Sequence, residues 1–311
     1  MLDTVTKTPA AALIRQPGYI QTIDGVSLFY RDWGSGKPLL FLSGWTLASQ
    51  MWAYQMNPLS EQGFRCIAYD RRAHGRSSDP GRGYDFDFLA DDLAAVIEAL
   101  DLDEVTLIAH SFASGEVVRY LSRHASEREA GVVLVAPAAI PFLLKTNDNP
   151  TGVDGAVLDQ LRAVLAEDFS SWAEANAEHY FPGTASRAMI DATLQMMNLA
   201  SHQAMLTMSH IQTTTDFRPE LARIKTPMLL IHGDCDASVP VELTSRPAAS
   251  LIPGARLEVY KGGPHGLYFT HKTRLNQDII RFVACLGGKT GADGRPSRPE
   301  SICALGASGA A

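Results

Sequence analysis

Cysteine is scarce: the chain has four in 311 residues, none in a C-x-x-C pair of the kind that would suggest a metal or redox site. Cys66, Cys235, Cys285 and Cys303 are scattered, and the apolar surroundings of Cys66 and Cys285 suit small core residues. Long apolar runs are missing as well. Nowhere do eighteen apolar residues follow one another, so there is no candidate membrane-spanning helix. Residues 1–16 hold no hydrophobic stretch of signal-peptide length, and a cytoplasmic location is expected. Basic clusters are absent and the net charge is −7, which argues against nucleic acid or an anionic membrane surface as partner. What remains is a small, uncharged substrate. No histidine cluster has metal-ligand spacing and no cofactor motif is present, so neither a metal nor a cofactor is expected. Composition leaves open whether the chain forms a homo-oligomer.

A hydrophobic content of 46% provides for a sizeable core. Tyr19 to Ile23 and Val26 to Trp33 are β-rich runs joined by Asp24-Gly25, a dipeptide that favours a type I′ hairpin turn. Apolar strands follow at Pro38 to Leu42, Phe64 to Tyr69, Val105 to Ile108, Val132 to Val135, Met228 to Ile231 and Leu257 to Tyr260. Helical segments alternate with them. Phe86 to Leu100 is the clearest, with Leu89, Leu93, Val96, Ile97 and Leu100 on one face and Asp91, Asp92 and Glu98 away from it; Thr273 to Cys285 closes the pattern. Alternation of this kind predicts an α/β fold, a mostly parallel sheet covered by helices on both faces.

The alternation lapses between Pro137 and Thr226, where helical patterns at Val157 to Ala166, Ser170 to His179 and Arg187 to His210 run without strands. The expected organisation is a flexible leader at 1–17, a core formed by 18–136 and 227–286, an inserted helical cap at 137–226, and a disordered tail at 287–311, rich in Gly, Ala, Ser and Pro.

The chemistry starts at Val105 to Gly115, V-T-L-I-A-H-S-F-A-S-G. A buried strand, an abrupt turn bearing Ser111, and a helix beginning there are the parts of a nucleophile elbow, in which the helix N-terminus favours developing negative charge. Elbows are usually written G-x-S-x-G. Here Ala109 and Ala113 flank the serine, which keeps small residues at both sides at some steric cost. An isolated serine after an apolar run can equally be a helix N-cap, so partners must decide. A nucleophilic serine needs a histidine base, and the base needs a carboxylate to fix its tautomer. After the Met228 to Ile231 strand comes His232-Gly233-Asp234-Cys235-Asp236, and after the Leu257 to Tyr260 strand comes Gly262-Gly263-Pro264-His265-Gly266. The order is Ser, Asp, His, each in the loop after its own strand.

Acyl transfer also needs donors for an oxyanion. The backbone N–H of Phe112, after the nucleophile, is one candidate, and that of Trp45, in Ser43-Gly44-Trp45, is the other. Asp234 is close enough to its strand end to brace the turn, while His74, His110, His179, His202 and His210 are expected to be structural or pocket-lining. The methionines of the cap, among them Met197 and Met205, suit a flexible apolar pocket above Ser111, with Trp45 and Phe112 as its floor.

With these residues assembled, the chain from Gly18 to Leu286 resembles the bacterial non-haem chloroperoxidase, perhydrolase and arylesterase group of the α/β-hydrolase superfamily. The likeness lies in Ser43-Gly44-Trp45, where relatives have His-Gly-Trp, in Asp70-Arg71-Arg72-Ala73-His74-Gly75-Arg76-Ser77, in the elbow, in Leu144-Lys145-Thr146 leading into Asn149-Pro150, in the Asp236 loop, and in Gly263-Pro264-His265-Gly266-Leu267. The resemblance implies a triad of Ser111, Asp236 and His265, with oxyanion donors at Trp45 and Phe112; the choice of Asp236 over Asp234 rests chiefly on it. Relatives commonly have Gly at positions 73, 109 and 113, and members that use peroxide well often carry Pro where this chain has Thr46. The implied function is a cofactor-independent serine hydrolase of esterase type, acting on a small, largely apolar ester or lactone. Peracid formation, lactone or amide cleavage, and ligand binding without catalysis stand as alternatives.

Overall fold

The computed structural model describes residues 18–124, 127–183 and 185–286, so the expected leader and tail lie outside the described residues. Eight strands form one sheet: β1 Tyr19–Gln21, β2 Ser27–Gly34, β3 Lys37–Leu42, β4 Phe64–Tyr69, β5 Val105–His110, β6 Glu129–Val135, β7 Met228–Gly233 and β8 Arg256–Tyr260. Their order is β1-β2-β4-β3-β5-β6-β7-β8. The β1–β2 hairpin and the β2–β4 pair are antiparallel, and every later pair is parallel. The helices are α1 Ala53–Glu61, α2 Phe86–Ala99, α3 Ala113–Arg123, α4 Gly155–Tyr180, α5 Arg187–Met197, α6 His202–Thr214, α7 Arg218–Leu221, α8 Ser245–Leu251, α9 Leu267–Thr270 and α10 Lys272–Leu286.

Period-two alternation divides the central strands between two apolar layers. Leu40, Leu42, Leu107, Ala109, Val132, Leu134 and Leu230 join the layer beneath α2 and α3. Leu39, Phe41, Ile108, Val133, Val135, Leu229 and Ile231 join the layer beneath α1 and α10. Burial on both faces explains why these segments read as continuous apolar runs.

Three expectations need correction. Asp92, assigned to the outer face of α2, is 2% exposed, because the buried Arg72 reaches it with two hydrogen bonds of 2.6 Å and also holds Asp24 of the hairpin turn. Burial pushes the Asp92 carboxyl up to about 6, against the pull of Arg72. The run Arg187 to His210 is two helices, α5 and α6, interrupted at 198–201; Ser201 there donates its N–H to the Ala73 carbonyl at 2.8 Å, tying the turn to the loop after β4. The patterns Val157 to Ala166 and Ser170 to His179 are, as expected, two helical stretches of α4, separated at Asp168, whose φ −153° and ψ 86° are not helical and whose Oδ1 accepts from Ser171 N–H at 2.9 Å. Cys66 is buried as expected, whereas Cys285 is only partly so.

The helices α4 to α6 lie between β6 and β7 in the chain. Among the described residues no helix is long and apolar enough to cross a membrane.

Candidate active site

Ser111 follows β5 directly and has φ +55°, a left-handed conformation that costs an L-residue roughly 1–2 kcal/mol. The turn ends at Phe112, and α3 begins at Ala113 rather than at the serine. Strain at one polar residue between a buried strand and a helix is what the elbow reading requires. Because glycine meets no such penalty, Ser111→Gly is expected to be more stable to unfolding than Ser111→Ala by about 1 kcal/mol. Urea titration of the two variants, both lacking the hydroxyl, checks it.

The three expected side chains meet at the carboxyl ends of their strands. His265 Nδ1 lies 2.7 Å from Asp236 Oδ2, and Nε2 lies 2.9 Å from Ser111 Oγ. A carboxylate accepts only, so Nδ1 carries the proton and bare Nε2 accepts from the serine hydroxyl. Asp236 is 5% exposed. Its Oδ1 accepts from the N–H groups of Ser238 and Val239 at 3.0 and 2.8 Å, and its Oδ2 also lies 3.1 Å from His232 Nε2. Burial alone would push the carboxyl up, but the attraction of His265 and the hydrogen bonds from His232 and His265 outweigh it and hold the group well below the usual carboxylate range. Asp234 is exposed, and its Oδ1 accepts from Gly262 N–H at 2.6 Å. It braces the turn, as its position near the strand end suggests.

The two loops that bring acid and base together cross backbone against backbone. A Cβ on Gly233 would lie 1.8 Å from the Gly263 carbonyl oxygen, so no side chain fits there, and Cys235 N–H donates to that same carbonyl at 3.1 Å.

His232 and His110 were not marked as site residues by sequence. His232 Nδ1 lies 2.7 Å from Ser245 Oγ and Nε2 lies 2.9 Å from the Val239 carbonyl, which makes Nε2 the protonated nitrogen that also faces Asp236. The only sequence signal is a histidine at a strand end, four residues before the acid. His110, beside Ser111, is fully buried; burial, helped by the nearby His265, lowers its pKa to about 3. It is therefore neutral, and its Nε2–H donates to the His265 carbonyl at 3.1 Å. His74 bonds the Arg72 carbonyl through Nδ1 at 2.9 Å, while His179, His202 and His210 are exposed rather than pocket-lining.

The N–H groups of Trp45 and Phe112 donate no hydrogen bond among the described residues. Gly44 passes close to the turn after β5: a Cβ there would stand 2.6 Å from His110 Nδ1 and 3.4 Å from Ser111 Cβ. The Trp45 indole leans on Phe169 and Trp172 of α4 edge to face and donates to the Met205 carbonyl at 3.0 Å.

Above Ser111 and His265 opens a cavity of about 360 Å³, walled by Trp45 and by Trp172, Tyr180, Ile190, Leu194 and Met197 of α4 and α5. Its lining contains no Asp, Glu, Lys or Arg. Two expectations fail here. The Phe112 ring is not floor; it points the other way, buried and stacked on Phe86 at 5.0 Å. Met205 is buried away from the cavity, since α6 turns that side chain inward. No group of three or more His, Cys, Asp or Glu side chains among the described residues is placed to hold a metal ion.

An eight-stranded sheet of this order, with a serine on a left-handed turn after the fifth strand and acid and histidine in the loops after the seventh and eighth, is the α/β-hydrolase fold. Residues 37–272 match the family described as alpha/beta hydrolase fold, and the chain belongs to that family. It is 38% identical over 270 residues to a non-heme chloroperoxidase of Kitasatospora aureofaciens, covering 84% of this chain and 98% of the relative. It is 34% identical over 278 residues to a bifunctional esterase/perhydrolase of Acinetobacter calcoaceticus, covering 86% and 99%. The solved structure of an esterase from Exiguobacterium antarcticum superposes with a TM-score of 0.82 at 28% identity, covering 86% of this chain and 98% of that one.

Proposed function

We propose that the protein is a serine carboxylesterase that cleaves small, uncharged, largely apolar esters or lactones through an acyl-enzyme. The observation that carries this reading is the hydrogen-bonded series Ser111, His265, Asp236 at the base of a cavity without charged lining. Ser111 Oγ attacks the carbonyl carbon while its proton passes to His265 Nε2, and the oxyanion is met by the Trp45 and Phe112 N–H groups. Collapse expels the alcohol, which takes the proton from His265. Water then enters, His265 takes one of its protons, and the acid leaves as Ser111 regains its hydroxyl. Asp236 keeps the imidazole in the required tautomer. Helices 137–226 serve as the cap that shapes the cavity.

Hydrolysis of aryl esters, alkyl esters and lactones, with Ser111→Ala as blank, tests the reading. An organophosphonate that labels wild type but not Ser111→Ala supports it. A wild-type protein neither labelled nor hydrolytic would sink it and favour a binding role.

A second reading, peracid formation with hydrogen peroxide replacing water, is favoured by the relatives named chloroperoxidase and esterase/perhydrolase. The loop argues against it as the main activity. Thr46 has φ +60°, which a proline ring, held near φ −65°, cannot adopt; the backbone here is therefore not built like that of relatives with proline at this position.

Cap specificity separates two methionines. Met197→Ala enlarges the cavity wall and is expected to change the ratio of kcat/KM between bulky and small esters about ten-fold. Met205→Ala should lower the melting temperature and leave that ratio unchanged. Equal ratios in both variants would remove Met197 from substrate selection.

A further inference from the structure

The loop before Trp45 and the turn at Ser111 share one buried partner that has no role in the steps above. Arg71, in the loop after β4, has a side chain only 3% exposed. Its Nη2 donates to the Ser43 carbonyl at 2.6 Å and its Nη1 to the Gly44 carbonyl at 3.3 Å. Its Nε donates to the carboxylate of Glu116, in the first turn of α3, and its guanidinium carbon lies 5.0 Å from the centre of the Phe112 ring. One planar cation thus touches the peptide units on both sides of Gly44, the ring of the residue after the nucleophile, and the helix that follows it.

Planarity makes this grip directional. In a trans peptide the carbonyl and the next N–H point opposite ways, so a Gly44 carbonyl drawn toward Arg71 turns the Trp45 N–H away from the guanidinium. Gly44 packs against His110 and Ser111 and, with Trp45, lines the cavity. Gly44 has no side chain to resist a flip of this peptide, and the remaining restraint on its carbonyl is the Leu47 N–H at 3.1 Å.

We propose that Arg71 is the positioning residue of the oxyanion site: it fixes the Gly44–Trp45 peptide so that its N–H meets the developing oxyanion, and it registers that loop against Phe112 with Glu116 as counter-charge. The proposal rests on the esterase reading. Arg71 touches no substrate and acts only through the two backbone donors. Lysine cannot replace it, since a single ammonium does not present the guanidinium's fork to two carbonyls and a carboxylate at once.

The test uses the full chain. Arg71→Lys is compared with wild type by ester kinetics and by two inhibitors, an aryl trifluoromethyl ketone and the corresponding aryl carbinol. Ser111 Oγ adds to the ketone, its proton passes to His265, and the product is a hemiketal oxyanion; the carbinol forms none. Expected are a kcat about 10- to 100-fold lower, less than the roughly 10²- to 10³-fold cost of losing an oxyanion donor outright because the donor is misplaced rather than removed, a KM within about two-fold of wild type, a ketone affinity lower by the same factor as kcat/KM, and an unchanged carbinol affinity. Unchanged kcat, or equal losses toward both inhibitors, would overturn the proposal. If Arg71→Lys fails to fold, Arg71→Met/Glu116→Leu replaces the buried pair by apolar volume, a change buried pairs often tolerate. That double variant should fold and still lose kcat; a folded double variant with full kcat refutes the proposal. Phosphonate labelling of wild-type Ser111 is the control. Its absence would indict the esterase reading, whereas labelled, active wild type with an equally active Arg71 variant would indict this inference alone.

Discussion

Ser111→Ala is expected to lower ester turnover on the order of 10⁵- to 10⁶-fold, His265→Ala by a similar factor, and the double variant by no more than either alone. The reason lies in the series of contacts. The Ser111 hydroxyl bonds His265 Nε2 at 2.9 Å, so removing either end leaves the other with nothing to act on, and losses within such a unit do not add. Initial rates on an aryl ester, normalised to phosphonate-titrated sites in wild type and to folded protein in the variants, measure the effect. Near wild-type turnover by purified Ser111→Ala would overturn the mechanism, since among the described residues Ser111 is the serine hydrogen-bonded to His265.

Asp236→Asn is expected to cost on the order of 10⁴-fold in kcat, and Asp234→Asn no more than a few-fold. Four donors converge on the Asp236 carboxylate: two backbone N–H groups on Oδ1, and His265 and His232 on Oδ2. An asparagine accepts on one oxygen only. Its NH₂ must face either the two peptide N–H groups or the two imidazoles, and the second choice forces His265 into the tautomer that cannot accept from Ser111. Asp234 accepts one N–H in an exposed turn and loses little. The reverse ranking would transfer the orienting role to Asp234. pH adds a check on stability. Because the Asp236 carboxyl is held below its ordinary range, the stability it confers is complete above about pH 4 and disappears as pH falls toward its folded pKa. The stability gap between wild type and Asp236→Asn should accordingly narrow only in acid below pH 4, as urea titrations at pH 3 and pH 7 would show.

Strand order in the chain and the placement of Ser, Asp and His in the loops after the fifth, seventh and eighth strands could be read from sequence, because a doubly covered parallel sheet writes itself as apolar runs punctuated by loops. What escaped were contacts between segments far apart in the chain. Asp92 looked like a surface residue of α2 since its partner Arg72 is twenty residues away and equally polar on paper. The break between α5 and α6 falls at Ser201, where a single bond to Ala73 decides the matter and no Gly or Pro announces it. Phe112 was placed by adjacency to Ser111, yet after the left-handed turn the Phe112 side chain lies in the core. Arg71 and His232 hydrogen-bond backbone carbonyls and buried carboxylates, and no spacing rule encodes such partners.

The left-handed backbone at Ser111 sets persistence against chemistry at a single codon. A library sorted for heat resistance alone would, wherever that serine is lost, favour glycine over alanine, and such survivors would keep the sheet, the cavity and the paired loops of Asp236 and His265 without the hydroxyl that the proposed hydrolysis needs. Engineering this scaffold for harsher conditions therefore calls for a turnover screen in every round, since descendants that have shed the Ser111 hydroxyl would pass any test of folding.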